Sequence, residues 1–296
     1  MILQDRTFNI IGKRKIWYII SSIIIIVGIV SFVMHDGFNL GIDFKGGNFI
    51  QITFEEPVNV ADLREDVSKY VKQTPLVQTE NSPKTCMIRT EVMTKDATDK
   101  MMKDIETNFG KYTVDRNELV GPTIGKELTQ SAIFALVIAC ALMLLYITIR
   151  FKFLFGVSSI ITLVHDVALL LSVFAIFNLE ITSSFIAAIL TVIGYSINAT
   201  IVIFDRVREN QPTYKADNLD NLVNDSINQT MARSINTVFT TLLALFALFF
   251  FGGETTRVFV LALIVGISAG GYSSVCMSGS VYRDLTAHFG KKNKKK

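Results

Sequence analysis

The sequence is poor in charge, in cysteine and in the local signatures of catalytic or nucleotide sites. Charged residues make up 19% of its 296 positions, below the roughly 25% of an average globular chain. That balance excludes a disordered chain and argues against a nucleic-acid partner. The three cysteines, Cys86, Cys140 and Cys276, are widely separated, and two sit in apolar runs. They offer neither a disulfide framework nor metal-ligand spacing. No H-E-x-x-H, G-x-S-x-G or Walker A string occurs, and no G-x-G-x-x-G follows a strand. Hydrolytic, nucleotide-driven and cofactor-dependent enzymes therefore have no support, and neither a cofactor nor a metal is expected. Any energy for work must come from elsewhere, and a membrane potential supplies about 2.3 kcal/mol per charge per 100 mV.

What the chain has instead is apolar length. Half of its residues are hydrophobic, and the mean hydropathy is +0.42. A bilayer-spanning helix needs about 20 predominantly apolar residues. Six runs qualify: 16–34, 129–149, 153–177, 181–204, 234–251 and 258–282. The first is too long for a signal-peptide core and lacks a small-x-small cleavage site, so it reads as a retained anchor. Charge is unevenly divided. Residues 36–128 carry 16 acidic and 12 basic side chains, against 10 and 17 in the remainder.

Basic residues in short loops orient the spans. With both ends cytoplasmic, the inner segments hold 16 of them: Arg6, Lys13, Arg14, Lys15, Arg150, Lys152, Arg206, Arg208, Lys215, Arg233, Arg283 and the five lysines of 291–296. The two short outer loops hold only Arg257. The expected layout is a cytoplasmic N-terminus over 1–15, a first span over 16–34 and an extracytoplasmic domain over 35–128. The five remaining spans follow within 129–282, then a basic cytoplasmic tail over 283–296. The tail lysines should lie near anionic headgroups of the lipid bilayer.

Within 35–128 the hydrophobic period changes. Residues 48–54 alternate as a half-buried strand does. Val60, Leu63, Val67, Tyr70 and Val71 recur at helical spacing, with Asn59 as N-cap. Residues 76–79 and 86–90 read as strands across an Asn81-Ser82-Pro83-Lys84 turn. Thr94 caps a second helix that Gly110 ends, and 112–120 supply a last strand. The order β-α-β-β-α-β predicts a small ferredoxin-like α+β domain beside an α-helical membrane bundle. It reads as a binding or clamp domain.

The bundle carries the candidate functional residues. His165-Asp166 is an ionisable pair in the middle of the third span, where charge is expensive unless it faces protein or water. Thr162, Asp166 and Leu169 share a helical face; the plainer reading is an interhelix hydrogen bond. In the fourth span Thr191, Tyr195 and Asn198 share a face, and Gly194 is expected to admit a neighbouring helix. These polar residues could equally be interhelix contacts. That span ends in the charge cluster Asp205-Arg206-Val207-Arg208-Glu209-Asn210, which opens the longest cytoplasmic loop. In the fifth, Arg233, Thr237 and Thr240 or Thr241 share a face, and Arg233 could be no more than an inside anchor. The sixth holds Gly266, Gly270, Gly271, Ser273 and Ser274, small residues that let helices approach or slide. Gly46 and Gly47, after Asp43, suit a sharp turn or close backbone approach.

Together these residues resemble the SecF family, the smaller partner in the SecD–SecF pair of bacterial protein export, within the resistance-nodulation-division superfamily. The resemblance covers nearly the whole chain. It rests on Gly41-Ile42-Asp43-Phe44-Lys45-Gly46-Gly47, Val120-Gly121-Pro122-Thr123-Ile124-Gly125, His165-Asp166, Ile193-Gly194-Tyr195-Ser196-Ile197-Asn198, Phe204 through Asn210, and Gly271-Tyr272-Ser273-Ser274. It implies a bacterial inner-membrane protein paired with SecD beside the SecYEG channel, with YajC as a further partner. It also implies a proton-motive or sodium gradient that promotes late, outer-side steps on the exported polypeptide, SecA supplying the ATP-driven push. Asp166, His165, Asn198 and Arg233 are then the ion-path candidates. Asp43, Gly46, Gly47, Gly194, Tyr195, Asp205, Arg206 and Gly271 become motif positions of structural kind. Many members carry an aspartate just after Ser-x-Asn in the fourth span, where this sequence has Ala199, which cannot titrate. An acid of SecD alone, Asp166, or a different coupling ion could fill that role. Three other classes compete with this reading: a half-transporter of the same superfamily for lipids or drugs, a non-coupled scaffold, and an intramembrane acid protease. The last needs two facing acids, and the spans offer Asp166 alone.

Overall fold

The computed structural model describes residues 7–72, 74–80, 82–214 and 218–293. Arg6, Asn81, Lys215 and the lysines of 294–296, used above for orientation and the turn, lie outside the described residues. In chain order the elements are α1 (Arg14–Met34), α2 (Ile42–Lys45), β1 (Gly47–Phe54), α3 (Val60–Ser68), β2 (Leu76–Glu80), β3 (Ser82–Thr90), α4 (Lys95–Phe109) and β4 (Tyr112–Val120). Then come α5 (Pro122–Arg150), α6 (Phe153–Ile176), α7 (Ser183–Asn210), α8 (Leu219–Phe251), α9 (Glu254–Ser273) and α10 (Gly279–Asn293). A π-helical turn, Ser274–Ser278, joins the last two. Two compact units result, one of residues 40–133 and one of 1–39 with 134–296.

The smaller unit has a four-stranded sheet in the order β2-β3-β1-β4, with neighbouring strands antiparallel. Its core sets Ile50, Ile52 and Phe54 of β1 and Ile88 of β3 against Leu63 and Val67 of α3 and Met101 and Ile105 of α4. The expected caps form: Asn59 accepts from the Ala61 amide at 2.9 Å and Thr94 from that of Ala97 at 3.4 Å. One expectation needs correction. β3 begins at Ser82, so Ser82, Pro83 and Lys84 are strand and not turn. Turn-type composition misled there, because neighbouring chain holds the segment: the Pro83 carbonyl accepts from Val58 N at 3.3 Å, and Lys84 Nζ donates to the Glu55 carbonyl at 2.7 Å. Gly46 and Gly47 both have positive φ, 72° and 130°. A Cβ on Gly47 would lie 2.4 Å from the Thr90 carbonyl oxygen, so both readings of the pair, turn and close approach, apply. A Cβ on Gly125 would lie 2.7 Å from the Phe44 carbonyl oxygen, a close approach of α2 to the start of α5.

The larger unit is a helical bundle. Six helical stretches among the described residues are long and apolar enough to cross a membrane: Arg14–Met34, Thr123–Arg150, Phe153–Ile176, Ser183–Thr213, Leu219–Phe251 and Thr256–Phe289. The chain is a multi-pass membrane protein. α6, α7 and α9 pack on one another, with α1 against α6 and α8 against α7 and α9. Glycines set the contacts. A Cβ on Gly266 would meet Val192 of α7 at 2.2 Å, one on Gly28 would meet Ser172 of α6 at 2.3 Å, and one on Gly271 would meet Val238 of α8 at 2.8 Å. Gly194 departs from expectation: outside its own helix no described atom lies within 4 Å of its Cβ position, so it packs against no other helix among the described residues. α8 also starts at Leu219, far ahead of the apolar run at 234, so much of the expected loop is helix. Its polar first half buries a stripe of Leu222, Val223, Ser226, Ile227, Thr230 and Met231. The N-terminal segment docks there, Asn224 Oδ1 accepting from Ile10 N at 2.8 Å and Asn228 Oδ1 from Phe8 N at 2.8 Å.

Candidate functional site

Asp166 lies at the centre of α6 on a buried polar stripe with Ser158, Ser159 and Thr162. The three hydroxyls donate to carbonyls one turn back, at 2.7 to 3.0 Å, and so satisfy themselves within the helix. Asp166 cannot do this, and its carboxylate is met from two other helices. Ser196 Oγ of α7 donates to Oδ2 at 2.5 Å, and Ser273 Oγ of α9 donates to the same oxygen at 2.7 Å. His165 Nδ1 is 3.0 Å from Oδ1. Asp166 is 1% exposed and Ser273 fully buried. A carboxylate in an apolar interior is tolerated only when its lone pairs are met, and three groups meet them here. His165 Nε2 is buried without a hydrogen-bond partner among the described residues.

The node joins three spans through one carboxyl group. Ser273 is the last residue of α9, immediately before the π-helical turn. Such turns often mark functional positions in helices. Gly270, one turn earlier, lets α9 come within van der Waals contact of Ser196.

A cavity of about 60 Å³ opens on the other side of Ser196, lined by Tyr195, Asn198 and Ala199 of α7, Arg233, Ser234 and Thr237 of α8, and Gly270 of α9. Tyr195, Asn198 and Arg233, separate in the sequence, thus converge on one space. Thr191 is exposed and does not join them. Among the described residues neither Asn198 nor Arg233 makes a hydrogen bond or ion pair with the Asp166 carboxylate. Arg233 has no ion pair or side-chain hydrogen bond among the described residues. Ser234 Oγ is buried without a hydrogen-bond partner among them. A second cavity shares Arg233 and Val202 with the first and runs to Asp205, Arg206 and Glu209. Those charges are paired along α7, Arg208 with Asp205 at 2.7 Å and Arg206 with Glu209 at 3.0 Å. No group of His, Cys, Asp and Glu suited to a metal ion occurs among the described residues. Ser196 and Ser273 are the functional candidates that sequence reasoning did not single out. Their signal, a serine facing the acid at the middle of α6, needs the packing to be seen.

The family described as protein export membrane protein SecD/SecF, C-terminal, matches residues 99–288, and the SecD/SecF GG motif matches 32–58. The protein translocase subunit SecF of Acidaminococcus fermentans is 41% identical over 284 residues, 94% of this chain and 97% of that protein. This chain is a member of the SecF family. The SecF subunit of Haemophilus influenzae is 39% identical over 275 residues, covering 92% of this chain and 84% of that one. Among solved structures, SecDF of Thermus thermophilus superposes with a TM-score of 0.87 at 34% identity, over 98% of this chain. The SecF-family chain spans 40% of that longer SecDF chain. Membership places the chain in the Sec protein-export machinery, and the matched GG motif contains Asp43, Gly46 and Gly47.

Proposed function

We propose that this chain pairs with SecD in the bacterial inner membrane and couples an ion gradient to protein export, with Asp166 as its titrating group. The observation that carries the reading is a buried carboxylate at mid-span, held by serines of two other spans and separated from a polar cavity by one of them. Acids inside a membrane are costly and mark ion paths by default. Arg233 stands at the junction of the two cavities as the cation of the path, and Asn198 as a polar lining group.

The excess of basic residues at one side supports an orientation with both termini cytoplasmic and residues 35–128 outside, where the exported polypeptide emerges. SecYEG and YajC complete the assembly in this reading, and the outward apolar faces of α5 and α8 meet SecD or lipid. The test is replacement of the native gene in a host whose own SecF is deleted. Export of secreted precursors, slow in the deletion strain and slowest in the cold, should recover, and the chain should copurify with SecD. Copurification with no recovery of export would refute the reading. A cysteine near Lys111 should react with an impermeant thiol reagent in intact cells and one near Lys292 should not; reversed labelling would overturn the orientation.

The full hydrogen bonding of Asp166 also fits a second role, a structural latch with no proton traffic. Loss of stability without loss of gradient response on Asp166→Asn would favour it.

A further inference from the structure

Ser196 and Ser273 make nearly equal hydrogen bonds to one carboxylate oxygen, but they face different surroundings. Ser196 lines the cavity beside Arg233; Ser273 does not, and its hydroxyl also lies 3.2 Å from the Gly270 carbonyl. The cavity is polar where it meets Ser196 and contains a buried hydroxyl, Ser234 Oγ, that no described protein atom satisfies. Buried polar groups without protein partners are ordinarily met by water. A space of 60 Å³ has room for about four water molecules. Beyond Arg233 the second, wider cavity continues to Asp205 and Glu209 at the end of α7.

From this we infer that Ser196 is a proton relay, the one-sided gate through which Asp166 exchanges protons with a water-filled path past Arg233 to the Asp205 end of the bundle. The inference rests on the reading of Asp166 as the titrating group and adds its route. On uptake, a hydronium ion in the cavity gives its proton to Ser196 Oγ while the hydroxyl's own proton passes to Asp166 Oδ2. Water, an intact serine and a neutral carboxylic acid remain. Release reverses each transfer. The groups around Asp166 leave little alternative on this side. His165 is on its own helix and bonds Oδ1. Tyr272 of α9 spends its hydroxyl on the Trp17 carbonyl at 2.9 Å and shares 3.2 Å with Ser21 of α1. The cation Arg233 of α8 lies beyond Ser196, at the cavity, with Arg206, Asp205 and Glu209 farther out. Ser196 and Ser273 are positioning residues for the same oxygen; only Ser196 has a proton source on its other side.

The experiment is infrared difference spectroscopy on the full chain in lipid vesicles. The carboxyl band that Asp166→Asn removes is followed as the external pH and the isotope of water are changed. The account expects Ser196→Ala to slow hydrogen–deuterium exchange of the Asp166 carboxyl by about tenfold or more, and Ser196→Thr to restore it. Ala199→Leu, which fills the cavity without touching the hydroxyl, should slow it as well. Ser273→Ala, which removes a comparable bond to the same oxygen, should leave the rate near that of the native chain. Equal slowing by Ser196→Ala and Ser273→Ala, or none from either, would overturn the relay while leaving Asp166 as the titrating acid. A native band that responds to neither pH nor isotope would overturn the underlying reading of Asp166, and the relay with it.

Discussion

In residues 40–133 the buried side chains are Ile50, Ile52, Leu63, Val67, Ile88 and Ile105, while most charges lie outside. In the bundle the large apolar side chains Phe134, Phe239, Phe250 and Phe251 are exposed, and Ser158, Thr162, Asp166, Ser196, Ser273 and Ser278 are buried. The bundle buries Phe155, Phe174, Phe185 and Phe204 as well, so the two units differ chiefly in what they expose, because they have different solvents. Water drives apolar groups together in the domain. Lipid gives helices no such drive, so close packing at small residues and hydrogen bonds hold the spans together. Burial is unequal even within the bundle. About half of the apolar window of α6, of the α7 span and of the α9–α10 span is buried, against roughly a tenth or less for α1, α5 and α8. Asp166 belongs to the inner set, and Arg233 stands on the exposed side of α8.

If the domain stands on its own core, Leu63→Ala should cost it about 2–5 kcal/mol. The check is chemical denaturation of residues 38–126, expected to form a monomeric α+β fold when expressed alone; an unfolded native fragment would break the comparison. The next effect belongs to the bundle. Gly266→Val places methyl groups against Val192, where a single Cβ would already approach within 2.2 Å. Overpacking of this kind costs roughly 1–3 kcal/mol and should lower the thermal stability of the full chain in detergent, with the domain's secondary structure retained. Unchanged stability would mean that α7 and α9 are not held at this distance.

The smallest effect is chemical. Cys86 is wholly buried in the domain core, and burial pushes its thiol up from the ordinary range. It should resist alkylation at neutral pH until the domain is denatured. Folding favours the protonated thiol, so its contribution to stability is full below the unfolded thiol's pKa and is lost as the pH rises toward the folded one. A rate equal to that of a free thiol would sharpen the comparison by showing that the domain opens readily.

Much of this was legible in the sequence because it depends on local rules. Asn59 and Thr94 begin their helices, and Gly110 ends one, where capping chemistry says they should. Asp166 stands out as an acid in an apolar run. What was not legible depends on partners distant in sequence. Ser82 to Lys84 have turn composition and become strand through contacts with residues 55 and 58. The 219–233 segment is polar enough to read as loop, and only the strip of Leu222, Ile227 and Met231 betrays a buried helix face. Gly194 looked like a packing glycine, but its open side faces no other helix among the described residues. Ser196 and Ser273 lie 30 and 107 residues from Asp166. A serine in a membrane helix ordinarily bonds its own backbone, so nothing in either local sequence marks it as the partner of an acid.

The central claim is that the buried acid of the inner helices, and not the exposed polar face of α7, carries the coupling. Translocation of a precursor into inverted membrane vesicles, with and without an imposed proton gradient and at matched protein levels, tests it most directly. Asp166→Asn keeps the size and most of the hydrogen bonding of the node but cannot titrate; it should abolish the stimulation by the gradient, while Asn198→Ala retains most of it. Full gradient stimulation in Asp166→Asn vesicles would contradict the account and leave Asp166 a structural latch.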